Sequence, residues 1–230
     1  MEEKSVKRSQ INSILAEGDA FIRSFGYILP PFAYQPPDAL KKSDHQMIKA
    51  RGLGWDVTDY GQGKFDALGL CLFTVRNGLI TDLKRGTGML YAEKIMISRH
   101  RQISPMHKHF LKAEDIINRG GGKLVLQLFA SAKDGGIDRK SDVEVPVDGR
   151  LKKLAAGALL KLDPGESVTL LPGVWHAFWG ENGDVLIGEV STVNDDHHDN
   201  EFESEIGRFA NVEEDEAPMH LLVSDYETYL

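Results

Sequence analysis

Apolar residues return at helical spacing through the first stretch of the chain and at strand spacing through most of the rest. Ile11, Ile14, Leu15, Phe21, Ile22 and Phe25 predict an amphipathic helix over 9–25, with Ser9 as N-cap and Gly26 to close it. Pro30-Pro31 and Pro36-Pro37 stop that helix from continuing, and a weaker helical stretch runs from about Asp38 to Ala50. Beyond it the texture changes. Leu68 to Val75 is a β-rich run ending at Asn77-Gly78, a dipeptide that predicts a hairpin. Tyr91 to Ser98 reads as a strand, and Leu124 to Phe129 as another, entered through Gly120-Gly121-Gly122. Val143, Val145 and Val147 alternate with polar residues up to a tight turn at Asp148-Gly149. Ala158 to Leu162, Ser167 to Leu171, Val174 to Trp179, and Val185 to Val190 after Asn182-Gly183 complete the series. Strands at this spacing, joined by glycine-containing turns, predict an all-β barrel or sandwich.

The tail departs from the pattern. Between Thr192 and Glu216 ten acidic residues face one arginine, Arg208. So acidic a run reads as a solvated arm, although Phe202, Ile206, Phe209 and Val212 require part of it to pack. The organisation expected is one domain: an N-terminal helical elaboration over 1–50, a barrel over about 65–191, and an acidic C-terminal arm over 192–230.

Composition changes this picture little. A formal charge of −8, from 27 Lys and Arg against 35 Asp and Glu, provides no basic stripe for a phosphate backbone, so nucleic acid is not an expected partner. Cys71 is the only cysteine, which rules out an intrachain disulfide. Its place in Leu70-Cys71-Leu72-Phe73 marks it as a buried, inert thiol. Met1-Glu2-Glu3-Lys4 opens a polar segment without an apolar signal core, and no run reaches the length of a membrane span. The expected setting is the cytoplasm, with no membrane partner.

The chemistry concentrates in Met106-His107-Lys108-His109-Phe110-Leu111-Lys112-Ala113-Glu114. Side chains alternate along a strand, so His107 and His109 point to one side and can share a cation. Glu114 can return a carboxylate to the same ion. His176, after the turn-forming Pro172-Gly173, would share an inward face with Val174 and Phe178. Three neutral nitrogens and one carboxylate suit Mn2+, Fe2+, Co2+, Ni2+ or Zn2+. The set has no thiolate, which disfavours a closed structural zinc site. Four protein groups on an octahedral ion leave two positions for substrate or water. A lone His-x-His is usually unremarkable; Glu114 at its offset and a downstream Pro-Gly-x-x-His make the metal reading the stronger one.

His107-x-His109, Glu114 and Gly121 resemble the first cupin motif, and Gly165 through Pro172-Gly173-x-x-His176 resembles the second. The proline lies one residue closer to the glycine than usual, and Gly180 stands where the motif has asparagine; neither departure removes a ligand. The resemblance implies a cupin jelly-roll β-barrel. The flanks narrow it. Leu29-Pro30-Pro31-Phe32-Ala33-Tyr34, Leu53 to Gly61, Tyr91 to Met96, Glu114 to Gly122, Gly188 to Asp196, and Ile206-Gly207-Arg208-Phe209 are together similar to the D-lyxose isomerase family. That resemblance implies interconversion of D-lyxose and D-xylulose, with D-mannose and D-fructose as a second pair. It also implies Mn2+ as cofactor, a small-molecule sugar as partner, and a homodimer. An iron-dependent cupin dioxygenase and a non-catalytic sugar-binding cupin are the competing readings.

Aldose–ketose isomerisation requires a base for the C2 proton and a group that moves protons between oxygens. Lys94, mid-strand with Ala92 and Met96 on its face, is one candidate; a solvent-facing lysine is the alternative. Glu189 shares a face with Val185 and Ile187 and is a second, against a purely structural carboxylate. If the arm folds over the barrel, Glu213, Glu214 or Asp215 could supply the base, and Asp215 is carried forward. Arg208 is a candidate for binding sugar hydroxyls or for holding the tail's carboxylates in place, and Phe178 for meeting the sugar's carbon face or for core packing. Trp55 and Asp56 mark a candidate substrate-side loop, with core packing the alternative for Trp55. His197-His198 beside Asp195, Asp196 and Asp199 reads as a polar loop rather than a second cation site.

Overall fold

The structure, a computed structural model, describes residues 5–230; the polar opening Met1 to Lys4 lies outside the described residues. From β1 (Val6–Lys7) the chain enters helix α1 (Arg8–Ser24), then α2 (Pro37–Lys42) and α3 (Gln46–Arg51). Strands β2 (Gly54–Thr58), β3 (Leu70–Asn77), β4 (Tyr91–Ser98) and β5 (Ser104–Lys108) follow, with α4 (Ile80–Arg85) between β3 and β4. The long β6 (Glu114–Ser131) leads through β7 (Ile137–Asp138), β8 (Val143–Val147), β9 (Arg150–Leu154), β10 (Leu159–Leu162) and β11 (Ser167–Leu170). A second long strand, β12 (Trp175–Thr192), precedes β13 (Glu201–Phe202), β14 (Val212–Glu213) and α5 (Tyr226–Tyr229). The main sheet runs β2-β3-β4-β12-β6-β11-β8-β9, with β5 branching onto β12 and β10 onto β6. Among the described residues this hydrogen-bonded path does not close on itself, so the predicted all-β barrel is a bent, open one.

Strand alternation divides the interior into two cores. Along β3, Leu70 and Leu72 join an inner core with Met96, Ile116, Leu126, Phe178 and Ile187, while Cys71 and Phe73 join an outer one. The outer core is where α1 docks, through Ile11, Ile14, Leu15 and Ile22 against Trp55, Val57, Ile95 and Ile97. A strand buried on both faces has to be apolar at every position, which explains the unbroken Leu70-Cys71-Leu72-Phe73. In β4 the same alternation sends Ile95 and Ile97 toward α1 and leaves Lys94 facing inward with Met96.

Several local expectations change. Gly120-Gly121-Gly122 and Asn182-Gly183 lie inside β6 and β12 rather than at strand ends. The two strands form one ladder, from Trp175 opposite Phe129 to Ser191 opposite Glu114, with register shifts between Glu181 and Val185 and between Leu186 and Ile187. Gly121 has φ +93, and a Cβ there would meet the Asp184 carbonyl oxygen at 2.1 Å. Such irregularities bend both strands, so that one pair can serve both walls. Asn77-Gly78 does not turn a hairpin, because α4 intervenes; the Asn77 amide instead donates to the carbonyls of Arg51 and Asn194, at 3.1 and 2.9 Å. Asp148-Gly149 does make the expected turn, pairing Val147 with Arg150. The stretch from Asp38 to Ala50 divides into α2 and α3.

The acidic tail keeps an exposed run, with Glu203, Glu205 and Glu213 to Glu216 at the surface, but parts of it pack. Glu201–Phe202 pairs with β5, and Val212–Glu213 runs parallel to β1. Arg8, fully buried at the head of α1, binds Asp225 through two bonds of 2.9 and 2.8 Å and also takes Glu214. No helix among the described residues is long and apolar enough to cross a membrane.

Burial pushes the Cys71 thiol up to about 12, which leaves almost no thiolate at neutral pH. Ellman's reagent is therefore expected to label Cys71 only after denaturant is added. Rapid stoichiometric labelling of the folded chain would contradict this packing.

Candidate metal centre

Four side chains meet at the inner end of β5, β6 and β12. His107 lies in β5 opposite His176 of β12. His109 follows β5, and Glu114 is the first residue of β6. The ring centroids of His107 and His176 are 4.1 Å apart, those of His107 and His109 5.2 Å, and those of His109 and His176 5.6 Å. One ring nitrogen from each lies within 4.8 Å of the others. All three rings are anchored from behind. Nδ1 of His107 meets the Pro105 carbonyl at 2.8 Å, that of His109 the Asp199 carbonyl at 2.8 Å, and that of His176 the Val174 carbonyl at 3.0 Å. A carbonyl can only accept, so each Nδ1 carries the proton and each Nε2 presents a lone pair.

Into that space comes Glu114 Oε1, 3.4 Å from His109 Nε2 and 3.1 Å from His176 Nε2. The oxygen is buried and accepts no hydrogen bond among the described residues. Acceptors facing one another without a shared proton repel, and an unpaired buried carboxylate oxygen is costly. A cation removes both penalties. The His107 imidazole is held well below its usual range, first by burial and then by His176 and His109, so it stays neutral and able to ligate. This donor set fits a borderline divalent ion.

Behind Glu114 runs an alternating series of buried charges. Lys112 Nζ donates to Glu114 Oε2 at 2.7 Å and to Glu189 Oε1 at 3.0 Å. Lys94, paired in register with Glu189 across β4 and β12, lies 3.6 Å from the same oxygen. Asp196 lies 3.8 Å from Lys94 and 3.2 Å from Arg208, whose Nη1 also binds Asp56 at 2.8 Å. Asn194 Oδ1 accepts from Lys94 at 2.6 Å and Lys112 at 3.4 Å. Burial by itself would raise the carboxyls of Glu114 and Glu189. The Lys112 ammonium overcomes it at both, helped by His109 at Glu114 and by Lys94 at Glu189, and holds both below the usual range. Asp196 is also held below its usual range, against its burial, by Arg208 and Lys94. Asp56 goes the other way: its burial outweighs Arg208 and pushes it up.

Apart from Asn194 and Asp56, these groups line a small, partly open cavity with about 40 Å³ of free space. Leu70, Leu72, Met96, Ile116 and Phe178 form an apolar side, and Tyr60, Ser104, Asn200 and Phe202 contribute to the rest. His107, His109, Glu114, His176, Lys94, Glu189, Arg208 and Phe178 are thus brought together. Asp215 and Trp55 are not. Asp215 accepts from the Ser9 amide and hydroxyl at 2.9 and 2.7 Å, on the flank where the tail meets α1. Trp55 is buried edge-on against Phe73 and donates to the Ala33 carbonyl at 2.9 Å, in the outer core. His197 and His198 are exposed, with His198 Nδ1 3.1 Å from Asp195, as befits a polar loop. Lys112, Asn194 and Asp196 are not singled out by reading the sequence, and Asp56, expected in a loop near the site, lies in β2. Only Lys112 had a usable signal, a lysine inside the ligand segment itself.

A family model described as D-lyxose isomerase matches residues 6–226. The D-lyxose/D-mannose isomerase of Serratia proteamaculans is 45% identical over 231 residues, covering 98% of this chain and 100% of that protein. The D-lyxose/D-mannose isomerase of Escherichia coli O157:H7 is 44% identical over 229 residues, covering 97% and 100%. Among solved structures, the L-ribose isomerase of Acinetobacter sp. DL28 in complex with L-ribose superposes with a TM-score of 0.61 at 18% identity, over 93% of this chain and all of that one. The Cellulomonas parahominis L-ribose isomerase with L-psicose gives 0.61 at 16% identity, over 91% and 99%. At such identities the structural likeness establishes the fold.

Replacing Lys112 by Met would leave two buried carboxylates with one ammonium fewer. Lys112→Met is expected to cost about 3–5 kcal/mol of stability in urea denaturation. A loss under about 1 kcal/mol would contradict the ion-pair geometry.

Proposed function

The chain belongs to the D-lyxose isomerase family of aldose–ketose isomerases, and on that footing we propose that it interconverts D-lyxose with D-xylulose and D-mannose with D-fructose. The observation that carries this reading is the convergence of three Nε2 lone pairs and Glu114 Oε1 beside a buried carboxylate, Glu189, set between two lysines. His107, His109, Glu114 and His176 would hold the divalent ion, with Mn2+ proposed from the family and compatible with the donor set. When bound, that ion supplies Lewis-acid polarisation of the sugar carbonyl.

The chain's own residues supply the proton transfers. Glu189, kept ionised by Lys112 and Lys94, takes the C2 proton and returns it to C1 through an enediol. Lys94, already hydrogen-bonded to Asn194 and beside Glu189, donates a proton to O1, which becomes a hydroxyl, and recovers one from the O2 hydroxyl, which becomes the carbonyl. Arg208 and Asp196, along the charged wall, bind the remaining hydroxyls. Phe178 and the aliphatic side chains beside it meet the carbon face and exclude water. A cytoplasmic homodimer belongs to the same proposal.

The test is conversion of D-lyxose and D-mannose by the Mn2+-loaded chain without oxygen. Ketose is expected, abolished in His107→Ala and reduced about 10²–10⁴-fold in Glu189→Gln. Oxygen-dependent turnover with no sugar converted would overturn the isomerase reading. In deuterated water the ketose is expected to gain deuterium at C1; complete retention of the original C2 hydrogen would replace proton transfer by a hydride shift.

A further inference from the structure

The loop between β5 and β6 carries His109 and Lys112, yet apolar packing does not hold it. Phe110 is 52% exposed and Leu111 57%. Its hold is polar and comes largely from one buried residue, Asp199. Asp199 Oδ1 accepts from the main-chain amides of Phe110 and Leu111 at 2.9 and 2.8 Å, and Oδ2 accepts from that of Lys112 at 2.9 Å. The Asp199 carbonyl accepts from His109 Nδ1 at 2.8 Å. Asp199 is itself fixed by its amide, which donates to the Asp195 carbonyl at 3.0 Å.

We propose that Asp199 is a positioning residue for the metal centre: its carboxylate gathers the amides of residues 110–112 and its carbonyl orients His109, so that His109 and Lys112 reach their places together. The role rests on the reading of the histidines as a divalent-ion site. The three amides have no strand ladder to join at this point, so without the carboxylate they turn to water and the loop opens. Removing it disturbs one ligand and the ammonium that anchors Glu114 and Glu189, while the two histidines on β5 and β12 stay in place.

Asp199→Asn is the discriminating variant. It keeps the size and the carbonyl to His109 but sets an amide N–H against the N–H of Lys112. Full-length wild type and variant are cleared of metal and titrated with Co2+, followed by the ligand-field absorbance of the ion. The variant is expected to bind Co2+ about 10–100-fold more weakly. With the site saturated, kcat is expected to remain about tenfold or more below wild type, with KM for the aldose within about threefold. Asp195→Ala loosens the same turn, because the Asp195 carboxylate caps the His197 and His198 amides at 3.1 and 3.2 Å, but that carboxylate touches neither the 110–112 amides nor His107, His109 and His176. It is expected to leave Co2+ affinity unchanged.

Equal affinity and kcat in Asp199→Asn and wild type would overturn the role, as would an equal loss in Asp195→Ala. Hydrogen exchange on wild type tests it without any variant: the Phe110, Leu111 and Lys112 amides should be protected despite the two exposed side chains, and fast exchange would overturn it. Wild type that takes up no Co2+ would instead remove the metal reading, and this role with it.

Discussion

The Nδ1 hydrogens of His107, His109 and His176 all point away from one another, each into a main-chain carbonyl. That leaves three ring lone pairs and one carboxylate oxygen facing the same small volume with no proton to share. In water such an arrangement would be harmless, since solvent would supply the missing hydrogen bonds. Here the groups are buried, and the surrounding sheet prevents them from turning away. The carbonyls that fix the rings belong to β5, to the strand entry before Trp175, and to the segment after β12, so the register of β12 on β5 and β6 sets the geometry. A divalent cation would reconcile these acceptors.

The same requirement propagates outward. Glu114 can face the rings with one oxygen because Lys112 binds the other; Lys112 can be buried because Glu189 shares it. Glu189 in turn faces Lys94, Lys94 faces Asp196, and Asp196 faces Arg208. No member of this series is isolated, which is the condition under which charges persist in a protein interior. The result is a two-sided cavity, charged and hydrogen-bonding along one wall and aliphatic or aromatic along the other. A polyhydroxylated chain with a carbon face matches that division.

Much of this was legible where alternation applies. The run from Leu70 to Phe73, the inward Lys94 and Met96, the face shared by His176 and Phe178, and the face shared by Ile187 and Glu189 follow from strand periodicity once the strands are located. That both faces look into one cavity does not, because the irregular stretch between them breaks the alternation. The clustering of His107 and His109 was legible because their motif is local. What escaped lies in loops, where no period tells which way a side chain points. Asp196 and Asp199 stand among exposed carboxylates of the same tail, and only their tertiary partners, Arg208 and the 110–112 amides, distinguish them from Asp215, which binds Ser9 at the surface. The two long strands were read as shorter ones because glycine marks a bulge as readily as a turn. Asn77-Gly78 was misleading for a related reason, since the asparagine amide serves a distant pair of carbonyls.

The most direct test of the account is crystallographic: diffraction from crystals of the full chain grown with Mn2+, recorded where manganese scatters anomalously. The account predicts one strong anomalous peak per chain, about 2.0–2.3 Å from Nε2 of His107, His109 and His176 and from Oε1 of Glu114. A peak that leaves out any of the three rings, or no peak among them, would contradict it.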